Sequence, residues 1–157
     1  MTHEMRRSGP LDGFAVSLFW GSALAGLLLP ALSMSLGTRR SAPDAFTEYW
    51  LSLTGAEPGL AILAALHAAP FMAFGVFCLL HLGKAPAADG SHAARRLGGA
   101  LAAALLMVVV SLWGNTAIFA SRSSTAAIGL FFLPFYVLLA SVVGYGMGRL
   151  ILRLRRR

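Results

Sequence analysis

The sequence predicts an all-α integral membrane protein: a four-helix bundle, N-in and C-in, with a short amphipathic external helix between helices 1 and 2. Three observations predict it. Apolar residues make up 57% of the 157 and charged residues only 12%, with a mean hydropathy of +0.73. A soluble domain carries about 25% charged residues, so a surface this poor in charge is matched to lipid rather than water. The apolar residues are gathered into four long runs, and Lys and Arg fall mostly on one side of the layer those runs define.

The runs cover residues 13–37, 59–83, 97–121 and 125–151, within one transmembrane domain spanning residues 1–157. None contains Asp, Glu or Lys, and Arg149 enters the fourth only at its last turn. Each is longer than the roughly 20 helical residues that cross a hydrocarbon layer of about 30 Å. The first run follows Arg6 and Arg7 and ends near Ala31-Leu32-Ser33, which resembles a cleavable signal. Its apolar stretch exceeds the 7–15 residues of a signal core, so it is read as a retained helix.

Orientation follows from the basic residues. Arg6, Arg7, Lys84, Arg95, Arg96, Arg149, Arg153, Arg155, Arg156 and Arg157 lie at one end, ten of the thirteen; Arg39, Arg40 and Arg122 lie at the other. The connections are short, the regime in which basic residues stay inside. Both termini are therefore expected in the cytoplasm, and the location expected is a bacterial-type inner (plasma) membrane.

Between the first two runs, Phe46, Tyr49, Trp50 and Leu53 recur at helical spacing. With Asp44 as N-cap and Gly55 as stop, they predict a short helix. That helix either floats at the membrane surface or packs as a lid on the bundle. The segment from Lys84 to Arg96, with Pro86 and Gly90, reads as a flexible connection. The Ser121–Thr125 turn reads as a polar hairpin capping the fourth helix.

Lipid supplies no hydrophobic drive between helices, so small residues must let backbones approach. Helix 2 carries Ala61, Ala65, Ala69 and Ala73 every fourth residue, and helix 4 carries Ala140, Gly144 and Gly148. Helix 1 has Gly21/Ala25 and Ser22/Gly26, and helix 3 has Gly98/Ala102 and Gly99/Ala103. These stripes predict close packing within the chain, with a homo-oligomer seam as the alternative use. Pro30, Pro70 and Pro134 lie inside three of the runs and each removes a backbone hydrogen bond.

Catalytic motifs are missing. There is no Walker motif, no Cys/His metal spacing and no paired carboxylate, so no metal or cofactor is expected and the pattern points away from an enzyme. The single cysteine, Cys78, excludes an internal disulfide and reads as a packing residue. The net charge of +7 sits beside apolar runs without interleaved aromatics, which points to a membrane surface and not to nucleic acid.

One polar cluster remains. His67 lies eight residues into the second run, about 12 Å down at 1.5 Å per residue. Asn115, with Ser111 one turn deeper, falls at similar depth on the third run, and Thr116 and Ser33 are near enough to join them. An ionisable residue at such depth is a functional candidate. His67 and His81 share a helix face about 21 Å apart, but no other run has a histidine to complete a haem site.

Two roles follow. The first is a non-catalytic accessory, assembly or protective subunit acting by helix–helix association with a membrane-protein partner or a second copy. The second is a small channel or carrier using the His67/Asn115 region. In a Cys78→Ala background, cysteines placed at residues 44–56 should label from outside intact cells, and those at residues 86–93 only after permeabilisation; the reverse pattern would invert the topology.

Overall fold

A computed structural model describes residues 11–55, 58–82, 90–121, 123 and 126–155. The described residues form five helices: α1 (Asp12–Thr38), α2 (Ala42–Thr54), α3 (Pro58–Leu82), α4 (Gly90–Ala120) and α5 (Ala126–Leu154). Four of them, α1, α3, α4 and α5, are long and apolar enough to cross a membrane. The short α2 joins α1 to α3 and defines one end of the bundle. The opposite end gathers the start of α1, the end of α3, the start of α4 and the end of α5.

Two local expectations need correction. α4 begins at Gly90, about two turns before the apolar run, because Ala93, Ala94, Arg95 and Arg96 are good helix formers that happen to be polar or small. The expected flexible connection is therefore helical from Gly90; Lys84 and Pro86 fall outside the described residues, as do Arg122, Ser124 and Thr125. The cap of α2 is Ser41 and not Asp44: the Ser41 hydroxyl accepts from the Asp44 backbone N–H at 3.3 Å. Pro43 in the first turn has no N–H to satisfy, so the helix starts earlier than the aromatic pattern implies.

α1 ends at Arg39, which takes the left-handed conformation (φ 57°). That residue reverses the chain, and Ser35 Oγ donates across the turn to the Arg40 carbonyl at 2.8 Å. Arg40 then pairs with Glu48 of α2. The joint folds α2 back over the end of the bundle, against α1 and α3.

The tightest seam is between α4 and α5. A Cβ added at Gly144 would lie 2.8 Å from the Ala102 carbonyl oxygen and the Ala103 Cα. One added at Gly148 would lie 2.6 Å from the Gly98 carbonyl oxygen and 3.0 Å from the Gly99 Cα. These backbones touch, which only glycine permits. Gly144 and Gly148 are thus covered by α4.

α1 and α3 form the second close pair. Here the contact runs through Gly26, whose added Cβ would meet Ala68 and Phe71 at 3.2 Å, and through Gly75 against Phe19. The alanine stripe does not take part as expected: Ala65, Ala69 and Ala73 are exposed on the outside of the bundle. α3 is turned so that its bulky Phe71, Phe74, Cys78 and Leu82 enter the core, which leaves the small residues facing out. The side chain of Ala61 lies outside the described residues.

The core joins Phe71, Phe74, Cys78 and Leu82 to Ala100, Ala103 and Met107 of α4 and Leu133 and Val137 of α5. Burial is inverted relative to a water-soluble protein. Ser22, Ser33, His67, Ser111, Asn115 and Ser141 are buried, whereas Trp20, Leu105, Trp113, Phe131, Phe135 and Val142 are exposed. A continuous apolar exterior of this extent is stable only against lipid.

The seam and the stripe give opposite predictions. Gly148→Leu should lower stability in detergent by roughly 1–3 kcal/mol or prevent folding, because the added atoms must separate two backbones. Ala69→Leu should stay within about 0.5 kcal/mol of wild type, since its side chain is exposed on the outside of the bundle. Thermal unfolding of both variants checks the pair.

Candidate functional site

The candidate site is a cavity of about 210 Å³ at the α2 end, with walls from all five helices. α1 contributes Pro30 and Met34; α2 contributes Glu48, Tyr49 and Ser52; α3 contributes Leu63, Ala64 and His67. α4 adds Asn115 and Phe119, and α5 adds Leu130. An apolar cavity of about 150 Å³ already accepts benzene, so there is room here for a six-membered ring with a substituent.

His67 is 7% exposed. Its Nδ1 lies 2.9 Å from the Leu63 carbonyl oxygen, one turn earlier on the same helix. A carbonyl only accepts, so Nδ1 carries the proton in this contact. In the neutral ring that leaves Nε2 as an acceptor. Nε2 is buried and has no partner among the described residues.

Asn115 is 0% exposed. Its amide nitrogen donates to the Ser111 carbonyl at 2.9 Å and to Ser111 Oγ at 3.3 Å. This anchors the amide plane and leaves Oδ1 as the second buried acceptor without a partner among the described residues. Leaving such a group unmatched costs about 1–3 kcal/mol.

The sequence-derived candidates therefore divide. His67 and Asn115 line one cavity but make no direct hydrogen bond, because each spends its donor on its own helix. Ser111 stands behind Asn115 as its anchor. Ser33 is buried but donates to the Leu29 carbonyl at 2.7 Å, and it does not line the cavity. Thr116 does not line it either; its hydroxyl is buried without a partner among the described residues, and its carbonyl abuts Gly37 of α1.

Sequence reasoning missed the contribution of α2. The expected apolar face was Phe46, Tyr49, Trp50 and Leu53. In the structure Ala45 is buried and Tyr49 half-buried, while Phe46 and Trp50 are exposed; the Leu53 side chain lies outside the described residues. The inward face runs through Ala45, Glu48, Tyr49 and Ser52, one step round the helix from the aromatic face. α2 is thus a lid with an aromatic exterior. Burial pushes the Tyr49 phenol above its ordinary pKa, so it stays uncharged at neutral pH.

Inward of His67, Phe71, Phe74 and Met107 are buried in the core, and the same three side chains line a second cavity of about 180 Å³ between α1, α3 and α4. Comparison of the chain with protein-family models, with curated proteins and with solved structures finds no match.

The two acceptors differ in their structural weight. His67→Phe should change stability by less than about 1 kcal/mol, because Nε2 has no protein partner to lose and the aromatic volume is kept. Asn115→Ala should cost about 2 kcal/mol or more, since it opens a void and removes the donor from Ser111. Equal thermal shifts for both variants in detergent would contradict the assigned geometry.

Proposed function

We propose that the protein is a multi-pass protein of a bacterial-type inner membrane, with both termini cytoplasmic, that binds a small amphipathic hydrogen-bond donor in its α2-end chamber. The observation that carries this reading is that two residues lining one largely apolar cavity, His67 and Asn115, each hold a buried acceptor, Nε2 and Oδ1, without a partner among the described residues. Polar groups inside membrane helices are costly and persist where they serve a site. A primary amine on a compact apolar body carries enough N–H donors for both acceptors, and an alcohol or phenol, with its single O–H, serves one of them, while Pro30, Leu63, Phe119 and Leu130 cover the hydrocarbon. α2 controls access, because Glu48, Tyr49 and Ser52 lie over the chamber.

A second reading concerns association. The exposed Ala65, Ala69 and Ala73 present a small-residue face on α3 that could seat a helix of a partner or of a second copy. Under this reading the chain is an accessory, assembly or protective subunit, and ligand binding would report to the partner. Its mark would be a stable oligomer or co-purified membrane protein that is lost on Ala69→Leu.

Thermal unfolding in detergent with cyclohexanol, cyclohexylamine and methylcyclohexane tests the ligand reading. The two donors should stabilise the protein, approaching about 2.7 kcal/mol at a hundredfold excess over Kd. Methylcyclohexane, of the same shape without a donor, should do less, and His67→Phe should erase the difference. Equal stabilisation by all three compounds, or no effect of His67→Phe, would overturn the reading.

A further inference from the structure

A second polar group lies at the opposite end of the bundle, where α3, α4 and α5 meet. Tyr145 Oη of α5 and His81 Nε2 of α3 are hydrogen-bonded at 2.7 Å. Phe77 stacks on the His81 ring at 5.0 Å and meets Tyr145 edge-on at 5.3 Å. The Arg149 guanidinium sits 5.7 Å from the centre of the Tyr145 ring. Arg96 of α4 donates to the His81 carbonyl at 3.3 Å, and both arginines lie within electrostatic reach of the His81 ring. Among the described residues neither guanidinium is paired with a carboxylate.

This cluster closes one end of a groove of about 430 Å³ between α3 and α5. The groove is lined by Ala73, Phe74, Phe77, Leu138 and Val142 and is almost wholly apolar. It exists because each wall helix spends its close-packing face elsewhere: the glycines of α5 face α4, and Gly75 of α3 faces α1. From Ala73 to His81 the groove runs about 12 Å along α3.

We propose that this groove and its arginines bind one anionic phospholipid, with an acyl chain along the α3/α5 groove and the phosphate against Arg96 and Arg149. Charge decides the occupant. A guanidinium offers a fork of donors that matches phosphate, and basic pockets between membrane helices suit anionic headgroups. A second copy of the chain would bring these arginines against like charge. His81 lies one residue from the end of α3, and its hydrogen bond with Tyr145 leaves the arginines as the groups that take the phosphate. The inference is independent of the α2-end chamber and shares no residue with it.

The test is native mass spectrometry of the full chain in neutral detergent with added phosphatidylglycerol or phosphatidylcholine. Wild type should retain phosphatidylglycerol preferentially. Arg96→Gln and Arg149→Gln should each reduce that preference about fivefold, and the double variant roughly thirtyfold. Arg39→Gln, at the other end, should leave it unchanged. Leu138→Trp, which fills the groove and spares the charges, should weaken retention of phosphatidylglycerol. A double variant that keeps the wild-type preference, an equal loss in Arg39→Gln, or equal retention of both lipids would overturn the proposal. Displacement of the lipid by millimolar inorganic phosphate alone would show an anion site without a lipid chain and would overturn it too.

Discussion

Everything in this bundle depends on how closely α4 and α5 approach. In lipid, side chains gain nothing by leaving their surroundings for one another, so backbone proximity and dispersion must hold the helices together. Gly144 and Gly148 allow α5 to lie directly on the backbone of α4 around Gly98, Gly99, Ala102 and Ala103. The same contact fixes the rotation of α5, pointing Leu133 and Val137 into the core and Phe131, Phe135 and Leu139 outward. With α4 and α5 locked in this way, α3 takes α1 as its main neighbour, and its contacts with α4 and α5 are sparse. The α3/α5 groove lies along that weaker seam.

Hydrogen bonds contribute less to the assembly than the number of buried polar residues suggests. Ser22, Ser33 and Ser141 each donate to a carbonyl three or four residues earlier on the same helix. Such groups enter a membrane at little cost and tie no helices together. His67 and Asn115 differ because each has more capacity than its own helix can satisfy. After His67 Nδ1 and the Asn115 amide nitrogen have found carbonyls behind them, a buried acceptor on each remains without a partner among the described residues, and both residues line the chamber. The chamber's chemistry is thus the surplus left by local satisfaction, and it is uniform in sign: both surplus atoms accept.

The lid is positioned by short-range interactions. Arg39 adopts a conformation that costs an L-residue about 1–2 kcal/mol, offset by the Ser35 bond to the Arg40 carbonyl, the Arg40–Glu48 pair and the Ser41 cap. Together they turn α2 back across the bundle within three residues of the end of α1. Glu48, Tyr49 and Ser52 consequently reach a chamber whose other polar residues come from α3 and α4. The two ends of the molecule are chemically distinct: buried acceptors on residues lining a chamber at the α2 end, and guanidinium donors beside an apolar groove at the other.

Composition and the lengths of the apolar runs determined the helical class and the four helices able to cross a membrane, because both depend only on hydropathy and on the rise per residue. The GxxxG pair in the last helix was legible as a close-contact site for the same reason: glycine is the residue that permits backbone contact wherever it occurs. His67 and Asn115 stood out as polar residues deep in apolar runs. Helix rotation was decided by the tertiary structure. Ala65, Ala69 and Ala73 look like a packing face, yet the aromatic side of α3 fills the core better and turns them outward. The inward face of α2 is likewise set by the joint at Arg39–Ser41 and not by the spacing of its aromatics. Which nitrogen of His67 is left without a partner among the described residues, and that Asn115 does not pair with it, followed from carbonyls on their own helices. Such choices depend on competition between neighbours brought together only by folding, which a linear pattern does not contain.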